Sequence, residues 1–117
     1  MVKAYKINLE EDTIANKAYR RVVYTTPQVQ LVLMNIPTGV SIGLEKHKNT
    51  TQFIRVESGT GSARVGNKRY RLAPGDAIVV PPGVYHDVKS TGNLKLYTIY
   101  SPPEHPKDLV EKMKVCE

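Results

Sequence analysis

Residues 39–59 read Gly39-VSIGL-Glu45-Lys46-His47-KNTT-Gln52-FIRVES-Gly59, and residues 75–90 read Gly75-DAIVV-Pro81-Pro82-Gly83-VY-His86-DVK-Ser90. Both stretches are built alike: short runs rich in Val and Ile, each stopped by Gly, Pro or a polar connector. The pattern extends outward as YRRVVYT, VQLVLMNI, GSARV, KRYRLA and LKLYTIY. Many short strands at regular spacing predict an all-β sandwich or barrel. Two joints are sharp. Gly66-Asn67, between Val65 and Lys68, fits a two-residue hairpin turn, and Ala73-Pro74-Gly75-Asp76 is a turn with proline and glycine adjacent. Between about residues 18 and 100 nothing has the spacing of a long amphipathic helix. The N-terminal LEEDT reads as a lead-in or loop, and the C-terminal DLVEKMKV has weak helical spacing. Three prolines within SPPEHP, residues 101–106, exclude a regular helix there.

Side-chain alternation turns these runs into candidate chemistry. Glu45 and His47 stand two residues apart, which on a strand puts them on one face about 6–7 Å apart at the backbone. Ile42, Leu44 and Lys46 would then point the other way. Gln52 follows after the polar connector KNTT and shares a face with Ile54 and Val56, opposite Phe53 and Arg55. His86 comes from a distant run, just after Pro81-Pro82-Gly83. Together these residues offer two imidazoles, a carboxylate and an amide oxygen. That donor set, with positions left open, suits a divalent transition ion: Mn, Fe, Zn or Ni. The third histidine, His105 in Pro-Glu-His-Pro, reads as a surface-loop residue. The alternative is a stiff lid over the barrel mouth, of its own or a partner subunit, that brings Glu104 or His105 near the metal. Tyr85 precedes His86 and should point away from it.

Composition bounds the rest. One hundred and seventeen residues predict one domain, 1–117, with one modest core. Two catalytic domains with a cleft between them do not fit in this length. No self-similar period marks a repeat array. No apolar run approaches the roughly 18 residues of a membrane helix. Charges throughout MVKAYKINLEEDT argue against a secretory signal, and the single cysteine, Cys116, has no internal disulfide partner. A reducing, cytoplasmic setting is expected. The net charge is +6, yet the basic residues are scattered, with densest groups at Arg20-Arg21 and Arg64–Arg71. No basic helix, zinc-finger spacing or RNA-binding aromatic signature accompanies them, so no nucleic-acid partner is expected.

The two opening stretches resemble the signature motifs of the cupin superfamily. The first cupin motif runs Gly, five residues, His-x-His, three or four residues, Glu, six residues, Gly, and residues 39–59 keep that spacing. The second runs Gly, five residues, Pro-x-Gly, two residues, His, three residues, Asn, and residues 75–90 keep it too. Fifteen residues separate the motifs, as in compact single-domain cupins. Glu45 stands at the first histidine position, Gln52 at the glutamate position and Ser90 at the final asparagine. The resemblance implies a double-stranded antiparallel jelly-roll β-barrel with a metal in its mouth, held here by Glu45, His47, Gln52 and His86. The tail LYTIYSPPEHP is similar to that of small cupins described as mannose-6-phosphate-isomerase-like.

Two functions follow from this reading. One is a small metal-dependent enzyme, of isomerase or oxygenase type, acting on a small polar molecule such as a carbohydrate. The other is a non-catalytic module that binds a small ligand, since fold does not fix function. A homodimer is expected, as is common among cupins. The central strands are apolar on both faces, so Ile42, Leu44 and Phe53 would otherwise meet water opposite the metal face. The edge of YRRVVYT would extend a partner's sheet.

Overall fold

A computed structural model describes residues 3–114; Cys116 lies outside them. The elements in chain order are α1 (Leu9–Ala15), β1 (Arg20–Thr25), β2 (Gln30–Ile36), β3 (Thr51–Val65), β4 (Lys68–Leu72), β5 (Ala77–Val80), β6 (His86–Ser101) and β7 (Val110–Glu111). The strands pair antiparallel in the order β4-β3-β6-β2-β1-β7, with β5 also on β3. The result is the expected antiparallel β-barrel. Its interior is packed by Val32, Met34, Ile36, Ile54, Val56, Val88, Leu94 and Leu96, among others, all essentially closed to water.

The run-by-run expectation changes in three places. TQFIRVE and GSARV fuse into the single strand β3, and YHDVK and LKLYTIY into β6. The two long strands pair along their whole length and bend together at bulges between Val56 and Gly61. Gly59 makes the bend possible. Its φ is +84°, and a Cβ there would lie 2.2 Å from the Asn93 carbonyl oxygen and 2.3 Å from that of Gly92. Only glycine tolerates both the left-handed backbone and the contact.

VSIGLEKH, by contrast, is not a strand. Its backbone pairing with β6 is limited to isolated bridges at Ser41–Lys89 and Glu45–His86, flanked by bonds from the Ile42 amide to the Val88 carbonyl and from the Ser90 amide to the Val40 carbonyl. Asp87 accepts hydrogen bonds from the Ser41 hydroxyl and the Gly43 amide, which satisfies this stretch without a ladder. Strict alternation therefore fails there. Ile42 packs against the core rather than opposite the metal face, and Leu44 alone of the pair is solvent-exposed.

The ends differ as well. LEEDT is helical, as part of α1. Asn8 caps the helix by accepting from the Glu11 amide at 3.0 Å, and Glu10, Glu11 and Asp12 fill the first turn, where acidic groups oppose the helix dipole. DLVEKMKV forms no helix over its described residues. Val110 and Glu111 pair instead with Arg21 and Arg20, and Glu111 also pairs with the Arg20 guanidinium. This segment covers the β1 edge as far as Val22, whose amide donates to the Leu109 carbonyl. That stretch of edge is therefore closed to a partner. The hairpin at Gly66-Asn67 forms as expected, with Val65 facing Lys68.

Candidate metal centre

Backbone bonds fix three candidate ligands relative to one another. The Glu45 and His86 amides each donate to the other's carbonyl at 2.8 Å, and the Gly83 amide donates to the His47 carbonyl at 2.8 Å. Gly83 has φ +78°, the left-handed state that lets the Pro-Pro-Gly turn double back beneath His47. The fourth residue, Gln52, sits on β3 between Val80 of β5 and Tyr100 of β6.

The side chains converge. Glu45 Oε1 lies 3.7 Å from the Nε2 of His47 and 3.7 Å from the Nε2 of His86. The donor atoms of the three residues all fall within 4.8 Å of one another. Ligands held about 2.0–2.3 Å from one ion are spaced on that scale. His86 is 1% exposed, Gln52 2% and His47 7%, whereas the Glu45 side chain keeps 29% of its surface open. The cluster thus has a buried floor and one wetter side.

The hydrogen-bond accounting tests whether a metal suits these residues. His86 donates from Nδ1 to the Val84 carbonyl at 3.1 Å. His47 presents Nδ1 to Glu104 Oε1 at 3.0 Å. Gln52 donates from Nε2 to Thr98 Oγ1 at 3.0 Å and to the Tyr100 hydroxyl at 3.2 Å. The atoms left over are His47 Nε2, His86 Nε2 and Gln52 Oε1, all buried and without a hydrogen-bond partner among the described residues. Buried polar atoms are rarely left so. Two imidazole lone pairs beside one carboxylate form a set that a divalent cation would satisfy, and each histidine holds its other nitrogen in an outer hydrogen bond, as metal-ligating histidines do.

The C-terminal tail is part of this arrangement. Glu104 reaches His47. His105 is half-buried rather than a free surface residue, and its ring packs edge-on against Tyr100 with Nε2 3.4 Å from the hydroxyl. Burial, helped by the nearby Arg20 charge, pushes the His105 pKa down to about 4, so the ring is neutral at pH 7. Burial likewise raises the Tyr100 pKa and keeps it protonated. Of the two tail readings, the lid is the one this geometry matches. The supporting parts played by Tyr100, Thr98 and Gln30 carry no signal in the sequence. Tyr85 points away as expected, 53% exposed with the Lys46 ammonium over its ring. Ser90, at the family's asparagine position, is fully buried and accepts from the Leu94 amide at 3.1 Å, closing the bend before Leu94.

Comparison with known proteins agrees with the fold. Residues 32–100 match the Cupin domain family. The uncharacterised protein YrkC of Bacillus subtilis is 39% identical over 96% of this chain and 64% of its own length. The uncharacterised protein L612 of Acanthamoeba polyphaga mimivirus is 42% identical over 89% of this chain and 69% of its own. The chain therefore spans about two thirds of the length of these relatives. The crystal structure of BH2720 from Bacillus halodurans superposes with a TM-score of 0.92 at 39% identity, covering 94% of this chain and 89% of that one. No helix among the described residues is long and apolar enough to cross a membrane. With its β-barrel, its motif glycines in place and its family match across β2 to β6, the chain belongs to the cupin family.

Proposed function

We propose that this chain is a single cupin domain that binds one divalent transition ion through Glu45, His47, Gln52 and His86. It works on a small polar molecule, with carbohydrate the leading class. The observation that carries the reading is the pair of buried, unpartnered histidine Nε2 atoms beside Glu45, with the Gln52 Oε1 also buried and unpartnered. Leaving such atoms unpaired costs about 1–3 kcal/mol each, a cost that coordination removes. The mixed nitrogen and oxygen set favours Mn(II) or Fe(II) over a structural zinc. A bound ion there would supply Lewis-acid polarisation of a carbonyl or hydroxyl. The chain's own contribution is to hold three donors rigidly on the barrel floor and leave the Glu45 side open. Beside Gln52, Ile54 and Tyr100 lies a void of about 10 Å³, too small for a substrate, which would approach from the open side.

The likeness of the tail to mannose-6-phosphate-isomerase-like cupins supports an isomerase reaction, with an oxygenase the other enzymatic form. The net charge of +6 favours a phosphorylated or carboxylated molecule. A homodimer in a reducing, cytoplasmic setting completes the reading. A non-catalytic binding module is favoured by one observation. Glu45 is itself a proposed ligand and Glu104 already meets His47 Nδ1 at 3.0 Å, which leaves neither carboxylate free as a base.

Elemental analysis of protein purified without an affinity tag tests the metal. About one ion per chain is expected, and substoichiometric metal after reloading would sink the proposal. A turnover screen of the loaded protein against sugars, sugar phosphates and small aromatic diols then separates enzyme from binding module.

A further inference from the structure

The tail that crosses the cluster is held by side chains from elsewhere in the barrel. Gln30, on β2 and fully buried, uses both ends of its amide on it. Its Oε1 accepts from the Glu104 amide at 3.2 Å and the His105 amide at 3.0 Å, and its Nε2 donates to the His105 carbonyl at 2.7 Å. Thr50, just before β3, donates to the Pro102 carbonyl at 3.2 Å. A segment with three prolines in six residues has few backbone donors and cannot join a ladder. Here its few polar backbone groups are bound one by one. The consequence is a strap whose two side chains each reach a different candidate ligand. Glu104 meets His47 Nδ1 at 3.0 Å. His105 meets the Tyr100 hydroxyl, which in turn accepts from Gln52 Nε2.

From this geometry we infer that the 102–106 strap is a positioning device that selects which atoms of His47 and Gln52 are offered to the ion. A neutral imidazole carries one proton, and the nitrogen facing a carboxylate keeps it. Glu104 therefore fixes the proton on Nδ1 and leaves the Nε2 lone pair free. Gln52 Nε2 donates to the Tyr100 hydroxyl, which His105 Nε2 holds from 3.4 Å away, so the amide turns its Oε1 away from that bond. Glu104 and His105 are positioning residues, since they act through His47 and, by way of Tyr100, through Gln52. The inference rests on the metal reading above, yet half of it can be read without any metal.

The first test is the ring tautomer of His47 in metal-free protein at about pH 8, above the ordinary imidazole range, by long-range nitrogen–proton NMR. The wild type should show the Nδ1–H form. A dominant Nε2–H form would overturn the inference whatever any variant does. The second test is Co(II) affinity by chelator competition, with the visible absorption of the bound ion recorded. Glu104→Ala should lose about ten- to hundred-fold in affinity, the range for removing an outer hydrogen bond to a metal-bound histidine, and its spectrum should change. Glu104→Gln keeps an oxygen acceptor for Nδ1–H and should recover most of the affinity. Unchanged affinity and spectrum in Glu104→Ala would reject the strap's role. A wild type that binds no Co(II) would instead reject the metal reading, with the tautomer still deciding the strap. Should the alanine variant fail to fold, the tautomer and the glutamine variant decide, a loss as large as a hundred-fold in Glu104→Gln counting against the inference.

Discussion

His86 and Gln52 are both almost fully buried, but they differ in what they can give. His86 has one nitrogen bound to the Val84 carbonyl and the other free, and a neutral imidazole nitrogen is a strong donor. An amide oxygen is neutral and weaker. His86→Ala should therefore abolish metal binding, whereas Gln52→Ala should only weaken it, as read by metal content after equilibrium dialysis. Equal losses would make Gln52 a full ligand. His105 supports a different prediction, in pH. Its folded pKa is pushed from 6.5 to about 4, so between those values the unfolded chain binds a proton that the folded chain does not. Its effect is absent above about pH 6.5 and lowers stability as the pH falls toward 4, below which it adds no further slope. Urea titrations of metal-free protein across that window should show a shallower decline in His105→Gln than in wild type. Parallel curves would show that His105 does not titrate as described. The convergence of Glu45, His47 and His86 was legible in the sequence because their spacing is tied to turns that glycine and proline dictate. The engagement of Glu104 and His105 was open only as an alternative, because it depends on Gln30, 74 and 75 residues away.

At the level of the elements, the motif glycines divide into two kinds. Gly59 and Gly75 both have positive φ, +84° and +90°, but a Cβ at Gly59 would strike two carbonyl oxygens, whereas none of the described atoms lies within 4 Å of one at Gly75. Gly75→Ala should cost only the backbone term, about 1–2 kcal/mol. Gly59→Ala adds an overlap with β6 that the two paired strands cannot relieve separately, and should cost more than about 4 kcal/mol or prevent folding. Chemical denaturation of the pair checks this, and equal losses would mean that the bend at Gly59 is soft. The same distinction explains what the sequence allowed. Hairpin and turn positions follow from residue type alone. The fusion of two runs into β3 does not, because a bulged strand with Gly59 in its middle looks like two strands separated by a turn. The helix α1 was hidden by its length, seven residues, too short for a 3.6-residue period to stand out. The sidedness of Ile42 was misread because period-two alternation holds only where a ladder exists.

For the whole molecule, the outer face of the barrel carries the decisive feature. Gln52, Ile54, Thr98, Tyr100, Gln30, Val32 and Val80 point inward and are buried, so their strand neighbours point out. Register then aligns Val79 with Phe53, Phe53 with Ile99, Ile99 with Leu31 and Leu31 with Tyr24. This is one apolar row across five strands. The neighbouring row contains Tyr97 and Leu33, and both are buried; α1 packs against β3 and β6 on that side. The N-terminal segment thus covers part of the outer face in cis but leaves the Phe53 row half-open, with Val79 55% exposed. A contiguous apolar row of this kind marks an interface more often than a free surface. With the β1 edge closed by β7 as far as Val22, face-to-face packing of two copies is favoured over edge pairing. Light scattering at micromolar concentration should give about twice the chain mass of 13.1 kDa, and a mass near that of one chain would reject the dimer. Phe53→Glu places a charge at the centre of the row, on the side of β3 away from Gln52. It should give a folded monomer that still binds metal, because the cluster lies on the opposite face. A variant that stayed dimeric and equally stable would remove Phe53 from the interface and leave its row to another role.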